Sequence, residues 1–389
     1  MSGRFLRLVC TAAVAAGTVL APLPAVAAPV PGPGPGAGEA STATLLTDLQ
    51  RLYREAERAT EAYNATEEKL TERRAETARL DLELSRARLS LRASRGAAGR
   101  LVRQQYQTST ALSPYIRLLL ARDPQHALDE GHVIGQLARE RAETVGRLAG
   151  SERRADALAR RARKALDDQL TLAERGKKER DEVRGRLHDV EELLASLSAE
   201  QVAALAESEE KGVDTAQRDL VASGALGDPA DDLSDGKGGG TPKPSREGDR
   251  AVRYAVRQVG KPYQWGAEGP RSYDCSGLTS QAWDHAGRSV PRTSQEQWAR
   301  LKRIPLSELR PGDLVVYFPE ATHVALYIGG GKVVQAPRPG ARIKVSPIAA
   351  NPILGAVRPD PQAAPLRHYS PPKLPPRARG TGRAGRWVR

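Results

Sequence analysis

Cys275 stands in the run Tyr273-Asp274-Cys275-Ser276-Gly277-Leu278 and is one of two cysteines in 389 residues. The other, Cys10, falls inside an N-terminal stretch that reads as an export signal. Arg4 and Arg7 open it, an apolar run covers Leu8 to Val19, and Ala25-Val26-Ala27 forms a small-residue cleavage pattern. Its removal leaves one thiol without an intramolecular disulfide partner, so Cys275 is either an inert core cysteine or a nucleophile. The residues after it predict a helix from about Cys275 onward. A sulfur in the first turn of a helix faces free N–H groups and the positive end of the helix dipole, which favours thiolate.

A sulfur nucleophile needs a proton acceptor that can later protonate the leaving amine, and imidazole suits this because it titrates near neutrality. The chain has six histidines. His126, His132 and His188 fall in a long helical region, where ordinary surface or packing histidines are the expectation, and His368 falls near the C-terminus. His285 would lie ten residues along the same helix as Cys275, roughly 15 Å up its axis, too far for proton transfer. His323 opens the strand-like run His323-Val324-Ala325-Leu326-Tyr327-Ile328, where a residue can face the end of a helix packed across the sheet. After the turn Gly329-Gly330-Gly331, a second run, Lys332 to Pro337, carries Gln335. Its amide oxygen can accept one imidazole N–H and hold the ring in one tautomer without adding charge.

The elements that must position these residues occupy a fraction of the chain. A Pro/Gly-rich spacer fills 28–40 after the signal segment 1–27. Residues 41–222 read as an antiparallel coiled-coil hairpin. Leu45, Leu49, Leu52, Ala56, Ala59 and Tyr63 recur at heptad spacing, and the register continues through Leu70, Leu80, Leu84, Ala87 and Leu91. A second, patchier seam runs from Leu137 through Leu148, Ala155, Leu158, Ala162, Ala165 and Leu172 to Val183, Leu187, Val190, Leu194 and Leu197. Pro114 and Pro124 interrupt the helical pattern between the two, and the chain is expected to fold back there. The apolar group Tyr115, Ile116, Leu118, Leu119 and Leu120 would then sit at the tip, either packed locally or offered to another protein. Residues 223–247, rich in Gly, Asp, Lys and Pro, read as a flexible linker, and 361–389 as a disordered basic, Pro-rich tail. Between them, 248–360 has short β-rich runs and frequent turns, and reads as the compact domain that carries the chemistry.

The net charge is +13. The basic residues are spread along the chain and form no recognisable nucleic-acid motif, and an exported chain has little access to nucleic acid. Anionic wall polymers or lipid headgroups fit that location better.

Lys261-Pro262-Tyr263-Gln264-Trp265-Gly266, Asp274-Cys275-Ser276-Gly277-Leu278, Pro291-Arg292-Thr293-Ser294, Pro311-Gly312-Asp313-Leu314 and His323-Val324-Ala325-Leu326-Tyr327-Ile328-Gly329, in that order, resemble the NlpC/P60 peptidases. The resemblance covers roughly residues 248 to 360. It implies an α+β, papain-like domain in which an antiparallel sheet packs on the helix carrying the cysteine, here preceded by an all-α coiled-coil hairpin. It also implies hydrolysis of peptidoglycan stem peptides at the bond between γ-D-glutamate and diaminopimelate, with no cofactor. On this resemblance Cys275 is the nucleophile, His323 the base and Gln335 the third polar residue, where many members carry histidine. Tyr263 would stand beside the nucleophile and reach the oxyanion together with the Cys275 N–H. Asp274 and Ser276 would line the substrate groove, and Arg292 and Ser294 would contact the acidic stem. Tyr263 as a packed aromatic, Asp274 as a helix N-cap and Arg292 as a surface salt-bridge residue are the structural alternatives.

The helical region is similar to hairpins that precede some wall hydrolases of the division machinery, which meet a membrane complex or cover the active site. The sequence therefore leads to a secreted cysteine endopeptidase acting on peptidoglycan, restrained or docked by its coiled coil. The competing readings are a catalytically idle wall-binding scaffold and a related thiol amidase or acyltransferase.

Overall fold

Residues 37–108, 114–121, 123–227 and 242–375 are described in the computed structural model of the chain. The signal segment, most of the Pro/Gly spacer and residues 228–241 and 376–389 lie outside them. Two long helices dominate the first half, α1 (Ala37–Thr108) and α3 (Pro124–Ala195), with the short α2 (Pro114–Leu119) between them. Pro124 sits in the first turn of α3, where its missing N–H costs nothing, and the Asp123 side chain accepts the His126 N–H as N-cap.

The heptad residues explain how the two helices pack. Leu80, Leu84 and Ala87 of α1 meet Ala155, Leu158, Ala162 and Ala165 of α3, while Leu49 and Tyr53 meet Val190. Low numbers pair with high ones, so the helices run antiparallel, and the cross-helix pairs Arg95–Glu152 (3.0 Å) and Arg186–Glu55 (3.2 Å) follow the same order. At the far end Ile116, Leu119 and Leu120 are exposed. The second seam does not run through Leu197 as one helix. Ser198 caps a separate helix, α4 (Ala199–Ala222), through a reciprocal capping box with Gln201.

The expected α+β domain follows. Helices α5 (Arg246–Arg257), α6 (Cys275–His285) and α7 (Ser294–Arg300) precede the strands β1 (Lys302–Ile304), β2 (Leu314–Tyr317), β3 (His323–Gly329), β4 (Lys332–Gln335), β5 (Lys344–Pro347) and β6 (Ile353–Arg358). The sheet is antiparallel throughout, in the order β1-β6-β2-β3-β4-β5. Its alternation sorts two cores. Leu314, Val316, Val324, Leu326 and Val334 pack with Leu278, Ala282 and Trp283 of α6 and Ala251, Val252 and Ala255 of α5. Val315, Ala325, Tyr327 and Val333 face the other way, where Leu220 of α4 and Leu226 pack on them. Gln217 of α4 accepts the Ala349 N–H at 3.1 Å and donates to the Gly331 carbonyl, so α4 is docked on the sheet domain.

Two segments differ from the sequence reading. The linker reading of 223–247 is too wide. Leu226 packs on the sheet, and Pro244 and Ser245 are buried, with Ser245 capping α5 through the Gly248 N–H. Residues 361–375 of the expected tail also lie on the domain. The Leu366 N–H bonds to Pro244 O, Lys243 and Arg253 donate to the carbonyls of Arg367 and Ser370, and Leu374 packs against the core. Composition missed this because backbone carbonyls and two leucines carry the attachment.

Candidate active site

The sequence Asp274-Cys275 builds the start of α6. Asp274 has extended backbone geometry, and its Oδ1 accepts the Gly277 N–H at 2.6 Å, which makes it the N-cap and puts Cys275 in the first helical position. Gly277 has no room for a side chain, because a Cβ there would lie 2.3 Å from the Ala267 carbonyl oxygen. The thiol is buried at 3 % exposure in the same core cluster as Val324, the residue that follows His323. Helix start and strand start therefore meet at the sulfur. His285, at the other end of α6, stacks on Tyr254 with ring centres 4.8 Å apart.

His323 is 1 % exposed and its Nε2 lies 2.7 Å from Gln335 Oε1. Gln335 Nε2 donates to Ser346 Oγ at 2.8 Å, so the amide presents its oxygen to the ring and Nε2 carries the proton. Nδ1 is left as the basic nitrogen. Tyr263 is buried near the thiol, and its hydroxyl is held well above the usual tyrosine range by burial first and then by Cys275, Asp274, Glu57 and Glu61. It remains an O–H donor at any working pH.

The structure brings the remaining candidates into one buried network. Arg292 donates to Asp274 through both terminal nitrogens (2.8 and 3.2 Å), to Ser276 Oγ at 2.9 Å and to Glu268 at 2.7 Å. Asp274 is thus both N-cap and ion-pair partner, and Arg292 is a salt-bridge residue of the interior rather than of the surface. Ser294 donates its hydroxyl to the Ala321 carbonyl at 2.6 Å, which leaves its backbone N–H facing the site.

The sequence reading missed what faces that site. Between Tyr53 and Thr66, α1 buries a second face besides its seam, made of Glu57, Thr60, Glu61 and Asn64. Glu61, 2 % exposed, accepts the Ser276 hydroxyl at 2.8 Å and the Ser294 N–H at 2.9 Å, and the Cys275 thiol lies 3.8 Å from its Oε1. Asn64 donates to Asp274 Oδ2 at 3.0 Å, and Glu57 Oε1 lies 3.4 Å from His323 Nδ1. Spacings of three and four put these residues on one helical stripe. On a charged helix such a stripe looks like solvated surface, and only its lack of a basic residue among positions 57, 60, 61 and 64 distinguishes it.

The insertion changes the electrostatics. Burial, then Asp274, push Glu61 up to about 7 against the opposing hydrogen bonds of Ser276 and Ser294 and the charge of Arg292. The Cys275 thiol is held well above its ordinary value, by burial first and then by Glu61, Asp274 and Glu57. Burial alone would lower the His323 imidazolium, but Glu57, with Gln335 and Glu61, raises it above its ordinary value. Beside this plug a cleft of about 480 Å³ stays open, lined by Glu68, Glu72, Glu268, Arg292 and Glu296. Among the described residues no group of three or more His, Cys, Asp or Glu side chains is arranged to hold a metal ion.

A helix-start thiol beside a strand-start imidazole, on an antiparallel sheet, defines an α+β domain of the NlpC/P60 type, and residues 260–355 match the NlpC/P60 family model. These residues are an NlpC/P60 domain, and curated proteins similar to it are named probable endopeptidases. The chain is similar to a probable endopeptidase of Corynebacterium glutamicum, at 47 % identity over 23 % of this chain and 43 % of that one. It is also similar to a probable endopeptidase of Mycobacterium tuberculosis, at 39 % identity over 28 % of this chain and 30 % of that one. The chain thus spans less than half the length of either relative. Among solved structures it is similar to the NlpC/p60 domain of the peptidoglycan hydrolase SagA, at 32 % identity over 28 % of this chain and 97 % of that one, with a TM-score of 0.27.

Proposed function

We propose that the chain is a secreted thiol endopeptidase that hydrolyses peptidoglycan stem peptides outside the cytoplasm, at the γ-D-glutamyl-diaminopimelate bond, during cell-wall remodelling or division. The observation that carries the proposal is the orientation of His323. Its Nε2–H is tied to Gln335 Oε1 at 2.7 Å, leaving Nδ1 as a base at the start of the strand whose next residue, Val324, shares a core cluster with Cys275. Once α1 has withdrawn, Nδ1 takes the thiol proton and the thiolate attacks the scissile carbonyl carbon. The oxyanion is met by the Cys275 N–H and the Tyr263 hydroxyl, both donors. Collapse breaks the C–N bond, the imidazolium protonates the leaving amine, and a thioester remains. Water, deprotonated by His323, then releases the acid and restores the thiol. Ser276, the Ser294 N–H and Arg292 contribute a carboxylate seat, which Glu61 fills at rest and an acidic stem fills in turn.

The same proposal assigns the helical hairpin a restraining role, because Glu57, Glu61 and Asn64 occupy the site itself. Its exposed tip is the natural place for a membrane-complex partner to pull. The test uses the full chain carrying Glu57→Lys and Glu61→Lys, which sets ammonium groups against His323 and Arg292 and expels the helix. Incubated with peptidoglycan, this variant should release fragments cut at the glutamyl-diaminopimelate bond, as read by mass spectrometry. Its Cys275→Ala derivative should release none. Absence of thiol-dependent fragments would favour an idle wall-binding scaffold, and cleavage of a different bond a related amidase or acyltransferase.

A further inference from the structure

Steric occlusion does not require a carboxylate to face the base. With Nε2 committed to Gln335, Nδ1 is the ring nitrogen left to exchange a proton with the thiol, and Glu57 Oε1 stands 3.4 Å from it. Nδ1 has no hydrogen-bond partner, so the Oε1 contact is one of charge rather than a hydrogen bond, and no other group competes for that nitrogen. Glu61 meanwhile takes the thiol side, with its Oε1 3.8 Å from Sγ.

We propose that α1 replaces the ion pair as well as covering it: Glu57 stands in for the thiolate as the charge partner of His323, and Cys275 is stored beneath it as a neutral thiol. In an open thiol site the imidazolium is balanced by the thiolate. Here the balancing charge comes from the hairpin, and a second ionised group at the sulfur would have no cation left to meet. The surrounding charges agree. Asp274 on α6 and Glu61 on α1 bear on the sulfur, and Arg292, the nearby cation, is already paired with Asp274 and Glu268. Arg338, on which the Glu57 charge also bears, is held by Glu209. A stored thiol resists alkylation and oxidation, which only the thiolate undergoes readily. The nucleophile is therefore released by the same movement that admits substrate. The proposal rests on the reading of Cys275 and His323 as a reacting pair, and adds to the hairpin's restraint a change of protonation state.

The test is the thiolate absorbance near 240 nm of the full chain, titrated with pH and corrected with the Cys275→Ala chain. It needs no reagent to enter the covered site and no peptidase activity. The variant is Glu57→Gln, which keeps the shape of the plug, the Glu61 hydrogen bonds and the Asn64–Asp274 bond. The wild-type thiol should titrate above the ordinary thiol range, and the Glu57→Gln thiol at least one pH unit lower, a tenfold rise in thiolate at neutral pH. The His323 ring, followed by NMR, should lose its proton at lower pH in the variant. Coincident thiol curves for the two chains would overturn the proposal while leaving the peptidase reading intact, whereas inactivity of the helix-expelled chain would overturn the peptidase reading and with it the ground of the proposal, whatever the thiol curves show. If Glu57→Gln does not fold, Glu57→Asp, which withdraws the carboxylate from Nδ1, should shift both titrations the same way.

Discussion

At the scale of single residues, this site is organised by hydrogen bonds that leave each group one free task. Gln335 is neutral, so it orients His323 without adding a negative charge that would further raise its basicity. Replacing Gln335 with Ala should lower turnover of the helix-expelled chain by roughly tenfold to a hundredfold with little change in KM, because the ring loses its fixed tautomer but keeps its place in the strand. Steady-state kinetics on a soluble stem peptide would show the split. Arg292 acts differently. Its pair with Asp274 is buried, at 7 % and 0 % side-chain exposure, and it also fixes Ser276. Arg292→Ala leaves a buried carboxylate without its cation and should cost about 3–5 kcal/mol in chemical denaturation of the domain. A loss of activity without loss of stability would mark Arg292 as a substrate contact alone.

At the scale of elements, the seat of α1 on the domain should respond to pH. Glu61 is raised from its ordinary range to about 7 when seated, so from about pH 4.5 to 7 the seated helix holds a proton that the free helix lacks. Seating is tightest below that window and weakens as pH rises through it. His323 adds the same sign, since its raised imidazolium favours the seated state until pH passes the raised value. Glu68 does so too, being raised by partial burial and then by Glu268, Glu72 and Glu296. The activity of the wild-type chain, divided by that of the helix-expelled chain, should climb from pH 6 to pH 9 by about tenfold or more. A flat ratio would show that these groups do not govern the seat. Hydrogen exchange of α1 residues 53–66 would follow the same opening without substrate.

At the scale of the whole molecule, α1 is held at both the site and its flank. Arg338, just past β4, makes a bidentate pair with Glu209 of α4 at 2.9 and 2.9 Å and lies over the Tyr53 ring of α1, 4.7 Å from its centre. One guanidinium thus ties the sheet domain to two helices that are distant from it in sequence. Arg58 pairs with Glu320 as a further clasp. Arg338→Ala should raise the activity of the otherwise wild-type chain several-fold and leave the helix-expelled chain unchanged. Equal effects on both would place Arg338 in the chemistry rather than in the restraint. The hairpin carries this clasp near its base and exposes apolar residues at its tip, so a pull at the tip has a long lever on the seat.

Much of this protein was legible in its sequence because the signals were local or periodic. The heptad spacing of Leu49, Leu80, Leu84 and Ala87, the break at Pro114 and Pro124, the cap Asp274 before Cys275, and the strand starting at His323 each depend on neighbours a few residues away. The lone thiol and the exclusion of His285 by helix geometry were likewise arguments about spacing. What only the tertiary structure decided was which surface of α1 is buried. Glu57, Glu61 and Asn64 have the composition of a solvated face, and they become interior only because a domain some two hundred residues later supplies Ser276, the Ser294 N–H, Asp274 and His323 as partners. Burial of polar groups is set by those partners rather than by their own type. The docking of α4 and the attachment of residues 361–375 were hidden for the same reason, since Gln217 and the backbone carbonyls that hold them look alike in any sequence.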